Sequence, residues 1–133
     1  MKRNARIGEV GELKFTVTEK HAIDFADDKM PAILSTPWLI WFLEHAAREA
    51  MLPLLDDDES TVGVQVEVEH VSATPLGETV TCNARIINTD GTLIMFQLTA
   101  DDEHERIARG LHKLRVIKSE RLKKRVERKA SSQ

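Results

Sequence analysis

The chain has 133 residues, room for one domain with a single core, and its 41% hydrophobic and 31% charged residues exclude a chain disordered throughout. The net charge of −3 is uneven: residues 118–133 hold seven Lys or Arg against two Glu, net +5, and the preceding 117 residues are net −8. An acidic body lacks the basic face of a nucleic-acid-binding domain, no apolar run nears the roughly 20 residues of a bilayer span, and the first residues lack a signal-peptide core, so a cytoplasmic protein with no nucleic-acid or membrane partner is expected.

Taken in chain order, "LKFTVT" at 13–18 alternates and is β-branched, which reads as a short strand. "EKHAIDFADDKMPAI" has mixed patterning with Pro31 and reads as a loop or short helical turn. A hydroxyl at Ser35 or Thr36 before Pro37 marks a helix start, and Thr36 is taken as the N-cap. The helix is expected to run to about Leu52, before Pro53. Leu39, Phe42, Leu43, Ala46, Ala47 and Ala50 give it an apolar face, widened by Trp38, Ile40 and Trp41, and its paired alanines permit another surface to approach closely.

Beyond the acidic turn "LLDDDEST" the period changes to two. "TVGVQVEVEHVSAT", "ETVTCNARIINT", "TLIMFQLTAD" and "ERIARGLHKLRVI" are four successive strand patterns, and Asp90-Gly91 is a strong hairpin signal. One early strand, one long apolar helix and four strands imply an α+β fold, an antiparallel sheet wrapped around that helix. Such a sheet keeps exposed edges, for which dimerisation is the expected remedy. The domain is placed at 1–117 and a basic tail at 118–133, helical for about two turns and then flexible.

Glycine-rich phosphate loops, metal-spaced His and carboxylate clusters and Gly-x-Ser-x-Gly elbows are all missing from the sequence, so no bound metal or cofactor is expected. Cys82, the single cysteine, reads as inert packing. What remains is Thr36, Glu44 and His70. Glu44 has Arg48 one turn on and His45 has Glu49, so ordinary i,i+4 pairing is the simpler reading from periodicity. A carboxylate held on a helix beside a groove would instead serve as nucleophile or general base. Strict alternation groups His70 with Val62, Val64, Val66 and Val68 on the face turned to the helix. The eight residues between Thr36 and Glu44 span about 12 Å of helix, so the two meet only around an extended substrate or across a subunit interface.

"STP" opening an apolar helix with Glu44 eight residues after the Thr, Gly63 seven residues before His70, "TPLG", and "ARG-x-H" in the last strand together resemble the hotdog-fold thioesterases of the fluoroacetyl-CoA thioesterase group. The resemblance covers most of residues 10–117. It implies a homodimer, or a higher homo-oligomer, that hydrolyses acyl-CoA thioesters at interface sites, coenzyme A entering as part of the substrate. Thr36, Glu44 and His70 fall on the catalytic set, and Gly63 on a position beside the acyl pocket. Where the group carries a phenylalanine-rich lid, this chain has "FADDKMPAI" with Phe25 and Met30, so the resemblance carries the reaction class rather than the fluoroacetyl substrate. Met30 is the substrate contact assigned to that lid, and Arg109 is assigned to the CoA phosphates on charge alone. The rival reading is a non-catalytic acyl-CoA-binding or regulatory hotdog protein, in which Glu44 only pairs with Arg48.

Overall fold

A computed structural model describes residues 1–132 and shows strand β1 (Val10–Thr16), helix α1 (Thr36–Met51), strands β2 (Glu59–His70), β3 (Thr79–Asp90), β4 (Leu93–Asp101) and β5 (Arg106–Lys118), and helix α2 (Ser119–Ser131). Short 3-10 turns at Glu19–His21 and Leu52–Leu54 flank α1. The five strands form one antiparallel sheet in the order β1-β3-β4-β5-β2. The period-two pattern decides its faces. Val80, Cys82, Ala84 and Ile86 on β3 and Ile94, Phe96, Leu98 and Ala100 on β4 are fully buried, while polar side chains such as Asn83, Arg85, Gln97 and Thr99 alternate with them. Against that apolar face lies α1, contributing Leu39, Leu43, Ala46, Ala47 and Met51, all at 0% exposure. This is the α+β arrangement expected, with the sheet curled around one helix. No helix among the described residues is long and apolar enough to cross a membrane.

The paired alanines do admit a close neighbour, and it is β1. A Cβ at Gly11 would run into the carbonyl oxygen of Ala46 and stand 2.7 Å from the amide nitrogen of Ala50. Only a residue without a side chain lets the edge strand lie this near the helix backbone.

Several boundaries differ from the sequence reading, each for a physical reason. Strand β1 starts three residues before Leu13, because Val10 to Thr16 find hydrogen-bonding partners on β3 from Arg85 to Thr79. The N-cap of α1 is Ser35, whose Oγ accepts from the Trp38 amide at 3.4 Å, and Thr36 is the first helical residue. Asp90 pairs with Leu93 at the end of its strand, so the hairpin loop is Gly91–Thr92 with Gly91 at φ 61°, as a glycine in the first position of a two-residue turn requires. The basic tail is helical through Ser131, well beyond two turns. Strong helix formers (Arg, Lys, Glu, Leu) fill it, and none of its residues is buried.

The largest difference lies in β2. Gly63 pairs with Leu114 and Gln65 with Lys113, so Val64 is an extra, unpaired residue forming a β-bulge. A bulge shifts the alternation by one. Before it, Thr61 and Gly63 sit opposite the buried Val116 and Leu114; after it, Val66, Val68 and His70 sit opposite His112, Gly110 and Ala108. Strict alternation is therefore wrong for Val62, which pairs with the exposed Arg115, and for Val64, which is 52% exposed. It is right for His70. The same shift brings Gly63 and His70, an odd number of residues apart, onto one face.

Gly11→Ala is expected to destabilise the protein by about 3 kcal/mol or more, because the clash is with helix backbone that cannot rotate away. Urea denaturation checks it, and a wild-type midpoint would remove the close approach from the account.

Candidate active site

The chain leading into α1 is pinned on both sides. Leu34 N donates to the Thr74 carbonyl at 2.9 Å, Ser35 N donates to the His21 carbonyl at 2.8 Å, and Ile33 and Pro75 form an isolated bridge. Because Ser35 takes the capping role, the Thr36 hydroxyl is free for another partner. It lies 2.8 Å from Nδ1 of His70, at the end of β2. Thr36 and Pro37 are exposed and line, with Phe25, Trp38 and Lys20, an open cavity of about 480 Å³ at the positive end of the helix.

His70 combines a satisfied nitrogen with an orphan. Its Nε2 is buried and has no hydrogen-bond partner. Leaving such a group unpaired costs about 1–3 kcal/mol, a cost that nothing in the packing of this chain offsets at that atom. Burial lowers the pKa of the ring from 6.5, with a backbone contact at Ser72 pulling weakly the other way, so His70 is neutral at pH 7. If Thr36 donates to Nδ1, the ring proton sits on Nε2, the buried nitrogen without a partner.

Glu44 belongs to a second cluster. No ion pair joins it to Arg48, whose Nη1 instead donates to Ser60 Oγ at 3.2 Å and Thr61 Oγ1 at 3.0 Å. His45 likewise turns from Glu49 and stacks on Trp41, its Nδ1 bonded to the Trp41 carbonyl at 2.8 Å. The i,i+4 pairs read from the sequence are thus not formed, because better partners lie across the helix-sheet gap and on the helix itself. Glu44 looks onto Gly63, where a built Cβ would meet Glu44 Oε2 and His112 Cε1, each at 3.6 Å. Glu44, His45, Arg48, Thr61, Gly63, His112 and Leu114 line a cavity of about 280 Å³.

His112 carried no functional weight in the sequence, although "ARG-x-H" contained it. Alternation on β5 was the available signal: it places His112 in phase with Leu114 and Val116, hence inward. In the fold it is 3% exposed, and its Nδ1 donates to the carbonyl of Gln65, the residue following the bulge, at 2.9 Å.

The two remaining assignments fall elsewhere. Met30 sits in a turn closed on Asp27, whose Oδ1 accepts from the Met30 amide at 2.9 Å, and it is Phe25 that lines the cavity at Thr36. Arg109 is on the outer face of the sheet, 3.5 Å from Glu69 on the neighbouring strand. Cys82 is fully buried with its thiol pushed up to about 12, as inert packing implies.

Thr36 pairs with His70 and Glu44 with Gly63 and His112, giving two clusters separated by about 12 Å along α1 and about 20 Å along β2. Together they hold a carboxylate for base or nucleophile chemistry and a neutral imidazole beside a helix N-terminus, which suits a growing negative charge.

Comparison with known proteins bears on that chemistry. Residues 17–120 match the model of the fluoroacetyl-CoA-specific thioesterase family. The chain is 31% identical, over 97% of both sequences, to the fluoroacetyl-CoA thioesterase of Streptantibioticus cattleyicolor. A crystal structure of a phenylalanine-to-alanine mutant of the fluoroacetyl-CoA-specific thioesterase superposes with a TM-score of 0.88 at 29% identity, covering 96% of this chain and 99% of that one. The same mutant in complex with fluoroacetate and CoA gives a TM-score of 0.81 at 27% identity, covering 89% and 99%. A thioesterase superfamily member from Thermus thermophilus shares the fold, with a TM-score of 0.86 at 23% identity over 98% and 99%.

His70 also governs a stability prediction. In the unfolded chain it takes up a proton as the pH falls through about 6.5, whereas the folded ring resists until lower pH, so protons favour unfolding in that window. Its contribution is whole above pH 6.5 and is lost as the pH drops below. His21, buried beside Phe15, Trp38 and Phe42 and lowered in the same direction, adds to the trend. Thermal melts between pH 7.5 and 5.5 should show a falling midpoint, with a shallower fall in His70→Gln; an unchanged slope in the variant would refute the assignment.

Proposed function

The chain belongs to the fluoroacetyl-CoA-specific thioesterase family, a hotdog-fold group, and from that membership we propose that it hydrolyses an acyl-CoA thioester to the free acid and coenzyme A. The observation that carries the reading is Glu44 facing Gly63 with no ion-pair partner among the described residues, in a cavity where the Arg48 guanidinium is bonded to the Ser60 and Thr61 hydroxyls. A carboxylate so placed is free to act on the thioester carbonyl carbon, as nucleophile or through water.

In this reading His70 stabilises charge rather than donating a whole proton. A neutral imidazole donates a hydrogen bond through Nε2 but is far too weak an acid to give that proton up. With Thr36 fixing Nδ1, Nε2–H and the positive end of α1 are directed at the oxygen that becomes negative in the tetrahedral intermediate. Arg109, on the far face of the sheet, is left to the outlying CoA phosphates, and Met30 to the rim of the acyl group's approach.

The two half-sites are proposed to complete each other in a homodimer. Strand β2 is a 12-residue edge with Val64 and Val66 exposed, a surface that pairs readily with a second copy. Antiparallel pairing about a two-fold axis near Val66 and Glu67 sets Gly63 of one copy opposite His70 of the other. That pairing brings the Glu44 and Gly63 of one copy to the Thr36 and His70 of the second.

Thiol release from a panel of acyl-CoAs tests the activity, and mixing tests the architecture. Glu44→Ala and His70→Ala, each folded, are expected to be inactive alone. Co-refolded in equal amounts, they should recover about a quarter of wild-type turnover, since half the dimers are mixed and each of these has one intact site. A mixture as dead as its parents would place the whole site within one chain. Undiminished turnover in Glu44→Ala would remove the carboxylate from the reaction.

A further inference from the structure

We propose that His112 is a catalytic residue that, with Glu44, holds the attacking water over Gly63; this rests on the thioester-hydrolase reading of Glu44. The argument begins with the His112 tautomer. Nδ1 faces the Gln65 carbonyl at 2.9 Å, and a carbonyl only accepts, so Nδ1 carries the proton and Nε2 of the neutral ring is a bare acceptor. Among the described residues that Nε2 has no hydrogen-bond partner, and the adjoining Cε1 borders the same small volume as Glu44 Oε2. An ionised carboxylate is also acceptor-only. With Cε1 at that volume and Nε2 next to it in the ring, a molecule with two donors fits between the two acceptors, and water has two O–H groups and a lone pair left for attack.

The backbone provides the space. A Cβ at Gly63 would contact both groups at 3.6 Å, an ordinary van der Waals distance, so the fold tolerates a side chain that the water site does not. The ring is held in place from behind by Phe96, centroids 6.3 Å apart, and from the side by the bulge carbonyl. The bulge thus both turns Gly63 inward and orients the imidazole beside it.

The step balances as follows. The water oxygen bonds to the acyl carbon as one O–H breaks and its proton passes to Glu44, while the second O–H remains hydrogen-bonded to His112 Nε2. The carbonyl electron pair moves to oxygen. On collapse the carbon–sulfur bond breaks, and the departing thiolate takes the proton from Glu44. Acid and thiol leave with Glu44 ionised again and no covalent bond formed to the protein.

The test is His112→Asn. The asparagine amide takes the place of Nδ1 and keeps the bond to the Gln65 carbonyl, but nothing replaces Nε2. Turnover should fall about 100-fold with KM within about threefold of wild type and a wild-type melting temperature. Turnover within about threefold of wild type would overturn the proposal, as would a loss confined to KM. A second measurement needs no variant: a single turnover in ¹⁸O-water should label the released acid alone, and label in the Glu44 side chain would overturn water attack. Should Glu44→Ala remain fully active, the underlying reading falls; should Glu44→Ala be inactive while His112→Asn turns over normally, only this inference falls.

Discussion

An unpaired residue in an edge strand governs the geometry of the whole site. With a continuous ladder, β2 would present Val62, Val64 and His70 to the helix and turn Gly63 outward. The extra residue at Val64 inverts the first half of the strand, so Gly63 turns toward Glu44 while His70 keeps its inward aim beside Thr36. The ladder loses a regular pairing at the bulge, and the Gln65 carbonyl next to it accepts from a side chain, His112 Nδ1. A strand that carried two functional positions seven residues apart could not otherwise point both at one helix.

The helix end at Thr36 obeys a comparable economy of partners. Capping needs one side-chain oxygen, and Ser35 provides it. Thr36, relieved of that duty, fixes one nitrogen of His70 while the other is left buried and unpaired. Stability alone would favour a partner for that atom. Its retention fits a group whose partner is a transient charge on substrate. Glu44 shows the same pattern from the opposite sign: Arg48, the cation nearest in sequence, is diverted to two hydroxyls on β2, so the carboxylate is left without the ion pair that would compete with chemistry.

The sheet around the helix leaves both half-sites on one concave side, at opposite ends of β2, with that strand's outer edge unpaired. In the two-fold pairing proposed above, covering the apolar edge and uniting the two clusters would be one and the same event. The close seating of β1 on α1 at Gly11 holds the helix at the sheet's opposite edge from β2.

Local patterns in the chain were enough for the elements and their faces: the 3.6-residue stripe from Leu39 to Ala50, the period-two runs of β3, β4 and β5, the Ser-Thr-Pro start of α1 and the inward aim of His70 follow from local forces. The resemblance pointed to Thr36, Glu44 and His70 on order and spacing alone, without any geometry. The folded chain was needed to see that Val64 is a bulge, that Ser35 rather than Thr36 caps the helix, that Arg48 leaves Glu44 for Ser60 and Thr61, and that His112 stands beside Gly63. For Arg48, and for the Thr36 hydroxyl freed by the Ser35 cap, the partner comes from strand β2, distant in sequence. No periodicity carries that information, since the alternatives differ by about a hydrogen bond and are settled only when the strands are brought together.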